Sequence, residues 1–473
     1  MIDLSRFPER AEAPMPHLDI QSLKLRDYRC FEQIDIDFHP QLTVLVAANG
    51  AGKTSILDAI AVAFGPFIGS FDEAVGKHFE STDIRQHRVR ETRTHEMEYA
   101  VKGVRLEATG FIADSIEDSI LGNHPPTVWR RSLSGPSKAK TTIKDAKQLI
   151  DYGKRLQEAV RTPGSDVLLP LVAYYGTGRL WQQKKLTENK KLQRTSRTIG
   201  YADCLDPASS YKSFVAWFRY WNLNSKEARI MAQETGRPST GTEFDGYIQS
   251  VGTAVNNCLE PVGWKDIEYS ISRDTLVAHH DQHGELPVEL LSDGIRNMIG
   301  MVADIAFRAT KLNGHLGGRA ALETPGVVLI DEVDMHLHPE WQQVVLQSLI
   351  RAFPEMQFIV TTHSPQVLST VRRENIRVIG PDAAGKTIAA MPIAMTYGEP
   401  SGDVMHSVML VDPQPPVAEK ADLLRLTEWV DQGGYEEPQA VDLMNRLTSA
   451  LGERHPQLQR LRRSIQRQEA LKQ

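Results

Sequence analysis

Apolar and polar residues alternate on a two-residue period through LDIQSLKLRDYRCFEQIDIDF, Leu18 to Phe38, with a break near Asp27-Tyr28. That pattern predicts a β-hairpin. His39-Pro40 then leads into Leu42-Thr43-Val44-Leu45-Val46, an unbroken apolar run that reads as a buried strand. The glycine turn AANGAGKTSIL follows, and a helix is expected from about Lys53 to Phe64. Alternation returns between about Glu96 and Phe111 in EMEYAVKGVRLEATGF, which predicts further antiparallel strands on the same lobe.

After the turn-rich SLSGPSKAK, apolar residues fall at helical spacing from Lys144 to Val160 (Ala146, Leu149, Ile150, Leu156, Val160). This helical region is interrupted by VLLPLVAYYGTGRLW, too short and too apolar for a surface helix, which reads as a buried strand returning to the sheet. The polar stretch Gln182 to Asn189 and the basic Lys190 to Arg197 predict an exposed loop, either simply solvated or touching nucleic acid. Helices are expected around Phe214–Leu223 and Phe244–Leu259, the first with a core-facing stripe of Phe214, Trp217, Phe218 and Trp221. A strand pair near Ile267–Ile271 and Thr275–His279 precedes VELLSDGIRNMIGMVADIAFRATKL, a serine and aspartate start to a long helix. The strand GVVLI ends on Asp331-Glu332; a helix at about Glu340–Ala352 and the strand FIVTTHS complete an alternation that implies a parallel sheet. From about Pro400 only helices are expected. The predicted organisation is an N-terminal lobe over 1–143, a mainly helical insertion with one returning strand over 144–265, a C-terminal lobe over 266–395 and a helical, partner-binding region over 396–473.

Length and composition narrow the class without deciding the function. A chain of 473 residues with 41% hydrophobic content can bury a large core. Its net charge of −6 argues against a surface that is basic throughout, so nucleic acid would have to meet a local patch. Cys30, Cys204 and Cys258 are far apart and in no metal-binding spacing, which points to a reducing compartment without structural zinc. MIDLSRFPERAEAPMP lacks the apolar centre of a signal peptide, and no stretch approaches eighteen apolar residues, so a cytoplasmic protein with no membrane partner is expected.

The glycine turn carries the clearest chemistry. A phosphate-binding loop needs small residues that let backbone N–H groups approach phosphate, a lysine for the β/γ charge and a hydroxyl for Mg²⁺. Asn49, Gly50, Ala51, Gly52, Lys53, Thr54 and Ser55 supply these, although Ala47 stands where the usual pattern has its first glycine. Asp331 and Glu332 end a buried strand, where open α/β sheets bind ligands. The aspartate is placed to hold Mg²⁺ with Thr54, and Glu332 to orient or deprotonate the attacking water. His363, at the end of the next strand, is a candidate hydrogen-bond donor to the γ-phosphate. LLSDGIR offers a serine-capped helix start with backbone donors. His279, His280 and His283 in HHDQHG read as a polar hairpin turn rather than a metal site. The final helix, about Gln457 to Lys472, puts Leu458, Leu461, Ile465 and Gln468 on one stripe with Arg460, Arg463 and Arg467 beside it, as expected of a packing or partner-binding helix.

Taken in order, the hairpin, ANGAGKTS, the helical insertion, LSDGIR, VVLIDEVDMHLHP and VTTHS resemble the ABC-type P-loop ATPase heads of the SMC, RecF and OLD families. That resemblance implies an α/β head with an antiparallel β lobe, a helical insertion and a C-terminal helical tail. It also implies ATP held with Mg²⁺ between two copies of the chain, so that Ser292 and Gly294 contact the γ-phosphate across a homodimer or higher homo-oligomer. Asp293 replaces the commoner glycine there. Arg29 resembles the arginine that such heads carry before the P-loop, Gln86 stands as a candidate Q-loop glutamine, and His336 and His338 occupy the D-loop place. AYYGTGRLW, LLSDGIRNMIGMVADIAFR, DEVDMHLHPEWQ and YGEPSGDVMHSVMLVDPQPP are similar to segments of the PtuA ATPases of Septu anti-phage systems and of retrons carrying the same gene pair. This narrower resemblance implies an ATPase subunit that controls an HNH nuclease, PtuB, which cuts nucleic acid. A RecF- or SMC-like repair ATPase and an OLD-like nuclease-associated ATPase are the alternatives; the residues after His363 are too few and too helical for the metal-binding nuclease domain of the latter.

Overall fold

The computed structural model describes residues 18–90, 96–113, 126–136, 140–178, 196–207, 211–235 and 241–472. The expected loop over 182–197 lies outside them except for its last two residues. They form two compact units, Met1–Val404 and Met405–Gln473.

In the larger unit the hairpin is β1 Ser22–Tyr28 and β2 Phe31–Asp37, with its tight turn at Arg29-Cys30. The apolar run is β3 Leu42–Val46, buried along its whole length. Next come β4 Gln86–Arg90, β5 Glu96–Tyr99, β6 Val104–Gly110, β7 Thr127–Leu133 and β8 Leu171–Tyr175. The second half contributes β9 Trp264–Ser270, β10 Thr275–His280, β11 Gly284–Pro287, β12 Gly326–Ile330, β13 Met356–Thr361, β14 Ile376–Pro381 and β15 Thr387–Ala390.

The main sheet runs β15-β14-β3-β13-β12-β8, and every neighbouring pair is parallel except β14 with β15. Strands β3, β12, β13 and β8 are buried along their length, which explains why they read as continuous apolar runs. The returning strand is β8, in register with β12 from Leu171 against Gly326 to Tyr175 against Ile330. A second, antiparallel sheet runs β2-β1-β6-β7. Of the strands expected between Glu96 and Phe111, β6 joins this sheet, whereas β5 pairs only with β4 in a separate ribbon. A third sheet, β11-β10-β9, includes one strand more than the expected pair.

The helix Lys53–Ile68 lies between the two larger sheets and is buried for most of its length. Pro66 near its end has no N–H, so the carbonyl of Val62 loses its usual intrahelical donor. Arg131 of β7 makes good the loss through NH1 to Val62 O at 2.8 Å, and Trp129 Nε1 donates to Ala63 O at 3.0 Å. Two side chains thus fasten the antiparallel sheet to the back of the helix that begins in the glycine turn.

The insertion holds helices Lys147–Arg161, Tyr211–Glu234 and Glu243–Leu259. Phe214, Phe218 and Trp221 are fully buried, as their stripe predicts. Arg197 is no loop cation: its guanidinium donates to the carbonyls of Leu312, Ser165 and Val167 at 2.7, 3.1 and 2.7 Å. The helix expected over 340–352 is two short ones, Pro339–Gln342 and Val345–Ala352.

The smaller unit packs helices Lys420–Asp431, Pro438–Leu451 and Pro456–Lys472 around Leu426, Val430, Leu443, Leu447, Leu458 and Leu461. The stripe of the final helix therefore faces that core, and Gln468 Nε2 donates to Val430 O at 2.9 Å. No helix among the described residues is long and apolar enough to cross a membrane.

Candidate nucleotide site

The glycine turn is shaped by two left-handed residues, Gly50 (φ 76°) and Gly52 (φ 94°). Gly52 also touches the hairpin: a Cβ there would lie 2.4 Å from Phe31 Cζ and 2.6 Å from Cys30 Sγ, whereas one on Gly50 would meet open space. Ala47 keeps a negative φ and is buried at the end of β3, so the glycine usual at that place has no conformational task here. Asn49 and Gly50 are exposed, Ala51, Gly52 and Ser55 half-buried. Lys53 is buried and its Nζ donates to the carbonyls of Ala47 and Ala48 at 3.1 and 3.3 Å. Burial pushes this ammonium below its ordinary pKa, while Asp331, Glu332 and Asp334 pull it back up.

Three acidic residues therefore sit close enough to act on Lys53, and the first is bonded to the next residue of the turn. Thr54 Oγ1 donates to Asp331 Oδ2 at 2.7 Å, joining positions 277 residues apart. The other carboxylate oxygen, Oδ1, accepts from Thr361 Oγ1 at 2.6 Å, and the same hydroxyl accepts the Glu332 N–H at 2.8 Å. Thr361, the last residue of β13, thus aims Asp331 and holds the backbone of Glu332, which is left-handed at φ 49°. Sequence reading passed over this threonine, although the TT of FIVTTHS was its signal. Thr362 repeats the device one residue on, donating to Asp334 Oδ1 at 2.6 Å. His363 follows directly and is half-buried.

Arg29 stands in the hairpin turn with φ 48°. Its Nε donates to Asp83 Oδ1 at 2.8 Å and its NH1 to Asp58 Oδ2 at 2.6 Å, with Ser55 Oγ 3.5 Å away. Asp58 also pairs with Lys77 at 3.3 Å and lies beside the buried Tyr174 phenol, whose pKa is raised by burial and then by Asp58 and Asp331. The arginine is therefore engaged by two carboxylates behind the turn. Gln86 opens β4 and is exposed.

Ser292 caps the helix Asp293–Leu312 and is exposed; its side chain makes no capping bond. Among the described residues no hydrogen bond links Ser292 or Gly294 to residues 47–55. Gly294 is buried, and a Cβ on it would lie 2.4 Å from the carbonyl oxygen of His336. His336 itself is left-handed at φ 63°, and His338 Nδ1 accepts the N–H of Glu340 at 3.4 Å. His280 Nδ1 likewise accepts the N–H groups of Gln282 and His283, closing the turn between β10 and β11, and no cluster of three metal-binding side chains occurs among the described residues.

The site fits a nucleotide with its metal on chemistry alone. Two oxygens converge at the mouth of a turn in which Gly50 and Gly52 are left-handed, and a lysine is held beside them. Comparison with known proteins agrees. Residues 22–213 match a family model described as "AAA domain", and residues 237–369 one described as "AAA domain, putative AbiEii toxin, Type IV TA system". The chain is similar to the Retron Vc95 probable ATPase of Vibrio cholerae serotype O1 biovar El Tor, 24% identical over 86% of this chain and 82% of the relative. It is also similar to the Retron Ec83 probable ATPase of Escherichia coli, 26% identical over 76% and 71%. Septu protein PtuA of Bacillus thuringiensis is 31% identical over a shorter stretch, 24% of this chain and 29% of that protein. With an α/β head, a glycine turn tied to an acidic strand end and these relatives, the chain is an ATPase with two stretches that match AAA-domain models, similar to the retron probable ATPases and, over a shorter stretch, to Septu protein PtuA.

Proposed function

We propose that the chain is the ATP-binding and ATP-hydrolysing regulatory subunit of a cytoplasmic anti-phage defence complex, a homodimer or higher homo-oligomer that governs a PtuB-like HNH nuclease. Nucleic acid is reached through that complex. The observation that carries the ATPase part is the bond from Thr54 to Asp331, which puts two oxygen ligands side by side at the mouth of the glycine turn. Mg²⁺ held by these two residues would neutralise charge between the β- and γ-phosphates. The backbone from Asn49 to Ser55 cradles the phosphates, and Lys53 exchanges its two carbonyl partners for them. Glu332 orients or deprotonates water, and His363 hydrogen-bonds the γ-phosphate. Ser292 and Gly294 of a second copy close the site. Arg29 braces the turn from behind through Asp58 and Ser55. The names of the relatives support the defence setting.

The test is to express the chain with an HNH open reading frame lying beside its gene and to measure co-purification and phage resistance. Lys53→Ala is expected to abolish resistance while leaving the two proteins associated. Full resistance from the chain alone, or no association with the nuclease, would overturn the reading.

A further inference from the structure

Past β15 the larger unit continues as Met391-Pro392-Ile393-Ala394-Met395-Thr396-Tyr397, where the usual alternation of a half-buried segment is inverted. Pro392 and Thr396 are buried, while Met391, Ile393, Met395 and Tyr397 are 50%, 95%, 63% and 57% exposed. The backbone beneath them is tied down. Thr396 donates to the Val371 carbonyl, the Gly398 N–H donates to Ser369 O at 2.8 Å, and Arg373 NH1 donates to Ile393 O at 3.3 Å. Four large apolar side chains are thus held outward, exposing on the order of 500 Å² of mainly apolar surface, as much as the largest patch on a typical monomer. The Arg372 guanidinium lies 5.1 Å from the centre of the Tyr397 ring, and among the described residues neither it nor Arg373 has a carboxylate partner. Methionine, tyrosine and arginine are residue types that interfaces favour.

We propose that Met391, Ile393, Met395 and Tyr397, flanked by Arg372 and Arg373, dock a short apolar segment of the nuclease subunit that carries carboxylates beside it. The inference rests on the reading that such a subunit accompanies the chain. A second copy suits the strip less well. A two-fold contact centred on Ile393 and Met395 would set Arg373 against its own image, because that guanidinium is bonded beside Ile393. The area also falls short of the roughly 800 Å² that each side of a standard interface buries, and so fits one stretch of polypeptide rather than a whole subunit face. Carboxylates from that stretch meet the two guanidiniums in charge-assisted bonds. Its apolar side chains settle among two methionines, whose unbranched chains adapt to what they touch.

The experiment uses the full chain and the product of the HNH open reading frame beside its gene, and measures their affinity, the chain's own mass and its fluorescent-ATP binding. Ile393→Asp with Met395→Asp is expected to weaken nuclease binding at least about 30-fold. Homo-oligomer mass and ATP affinity should stay at the parental values, since both side chains face solvent in the chain alone. Arg372→Glu with Arg373→Glu should weaken nuclease binding about ten-fold at low salt and flatten its salt dependence. If either double variant binds the nuclease at parental affinity in low salt, the docking strip is wrong while the subunit reading stands. If the aspartate variant loses homo-oligomer mass instead, a second copy is the occupant and the proposal falls. A parental chain that does not bind the nuclease overturns both.

Discussion

Gly52 and Gly50 separate two reasons for a glycine in a phosphate-binding turn. Replacing Gly52 by Ala forces a left-handed L-residue, which costs about 1–2 kcal/mol. It also drives a methyl to 2.4 Å from Phe31 Cζ and 2.6 Å from Cys30 Sγ, an overpacking that costs about 1–3 kcal/mol. The sum is about 2–5 kcal/mol. At about 2.1 cal/mol/K per residue, the Met1–Val404 unit unfolds with an entropy of roughly 0.85 kcal/mol/K, so Tm should fall by roughly 2–6 °C. Gly50→Ala has the left-handed cost without the clash, since nothing lies within 4 Å of its Cβ, and should lower Tm by roughly 1–2 °C. Its damage should appear in binding, because the added methyl stands where phosphate must approach an exposed turn. Thermal melts with and without ATP, together with fluorescent-nucleotide titration, measure both effects. A Gly52→Ala protein that melts within a degree of the parent would show that the hairpin does not rest on the turn, and the steric argument would fail.

Glu332→Gln is expected to slow ATP hydrolysis by orders of magnitude and to accumulate ATP-bound dimers; turnover at the parental rate in a phosphate-release assay would remove the general-base role. Thr361→Val deletes the hydroxyl that bonds both Asp331 Oδ1 and the Glu332 N–H, and should raise the Mg²⁺ concentration for half-maximal ATPase about 10–100-fold, with ATP binding in excess Mg²⁺ little changed. An unaltered Mg²⁺ titration would refute it. Lys311 is pushed down to about 8 by burial, with Glu243 opposing, while its Nζ stacks 3.2 Å over the Trp217 ring. The unfolded chain then binds the extra proton between about pH 8 and 10.5, so stability should rise with pH across that window and this rise should vanish in Lys311→Met, as read by Tm against pH. Equal slopes in both proteins would show that the cation–π contact offsets the burial cost.

The parallel strands were legible because each is sealed on both faces and so shows an unbroken apolar run: Leu42–Val46, Gly326–Ile330 and the Leu171–Tyr175 strand that returns from the insertion. Ile376–Pro381 escaped because it lies next to the edge strand of that sheet and is only partly buried, so its sequence carries neither a full apolar run nor a clean alternation. Gln86–Arg90 and Thr127–Leu133 are rich in arginine, and no local pattern tells a charged strand from a loop. Arg131 shows why: it faces inward, almost fully buried, to bond the Val62 carbonyl left without a donor by a proline 65 residues earlier.

The same division runs through the site. Lys53, Thr54, Asp331 and Glu332 could be named from sequence because each stands beside a backbone feature with its own signature, a glycine turn or the end of an apolar strand. Thr361 and the surroundings of Arg29 could not, since their roles are fixed by partners brought in from other segments. An arginine in LRDYRCF has no local reason to be anything but exposed; Asp58 on the P-loop helix and Asp83 before β4 decide otherwise, and both lie far along the chain. A consequence follows for the turn itself. Because Asp58 is shared by Arg29 and Lys77 and lies one turn below Thr54 and Ser55, the helix start is held from behind by charge as well as by the Phe31 contact with Gly52. A phosphate-binding turn fixed on that side leaves its N–H groups and the Thr54 hydroxyl pre-arranged on the other, where nucleotide binding need not bear the cost of ordering them.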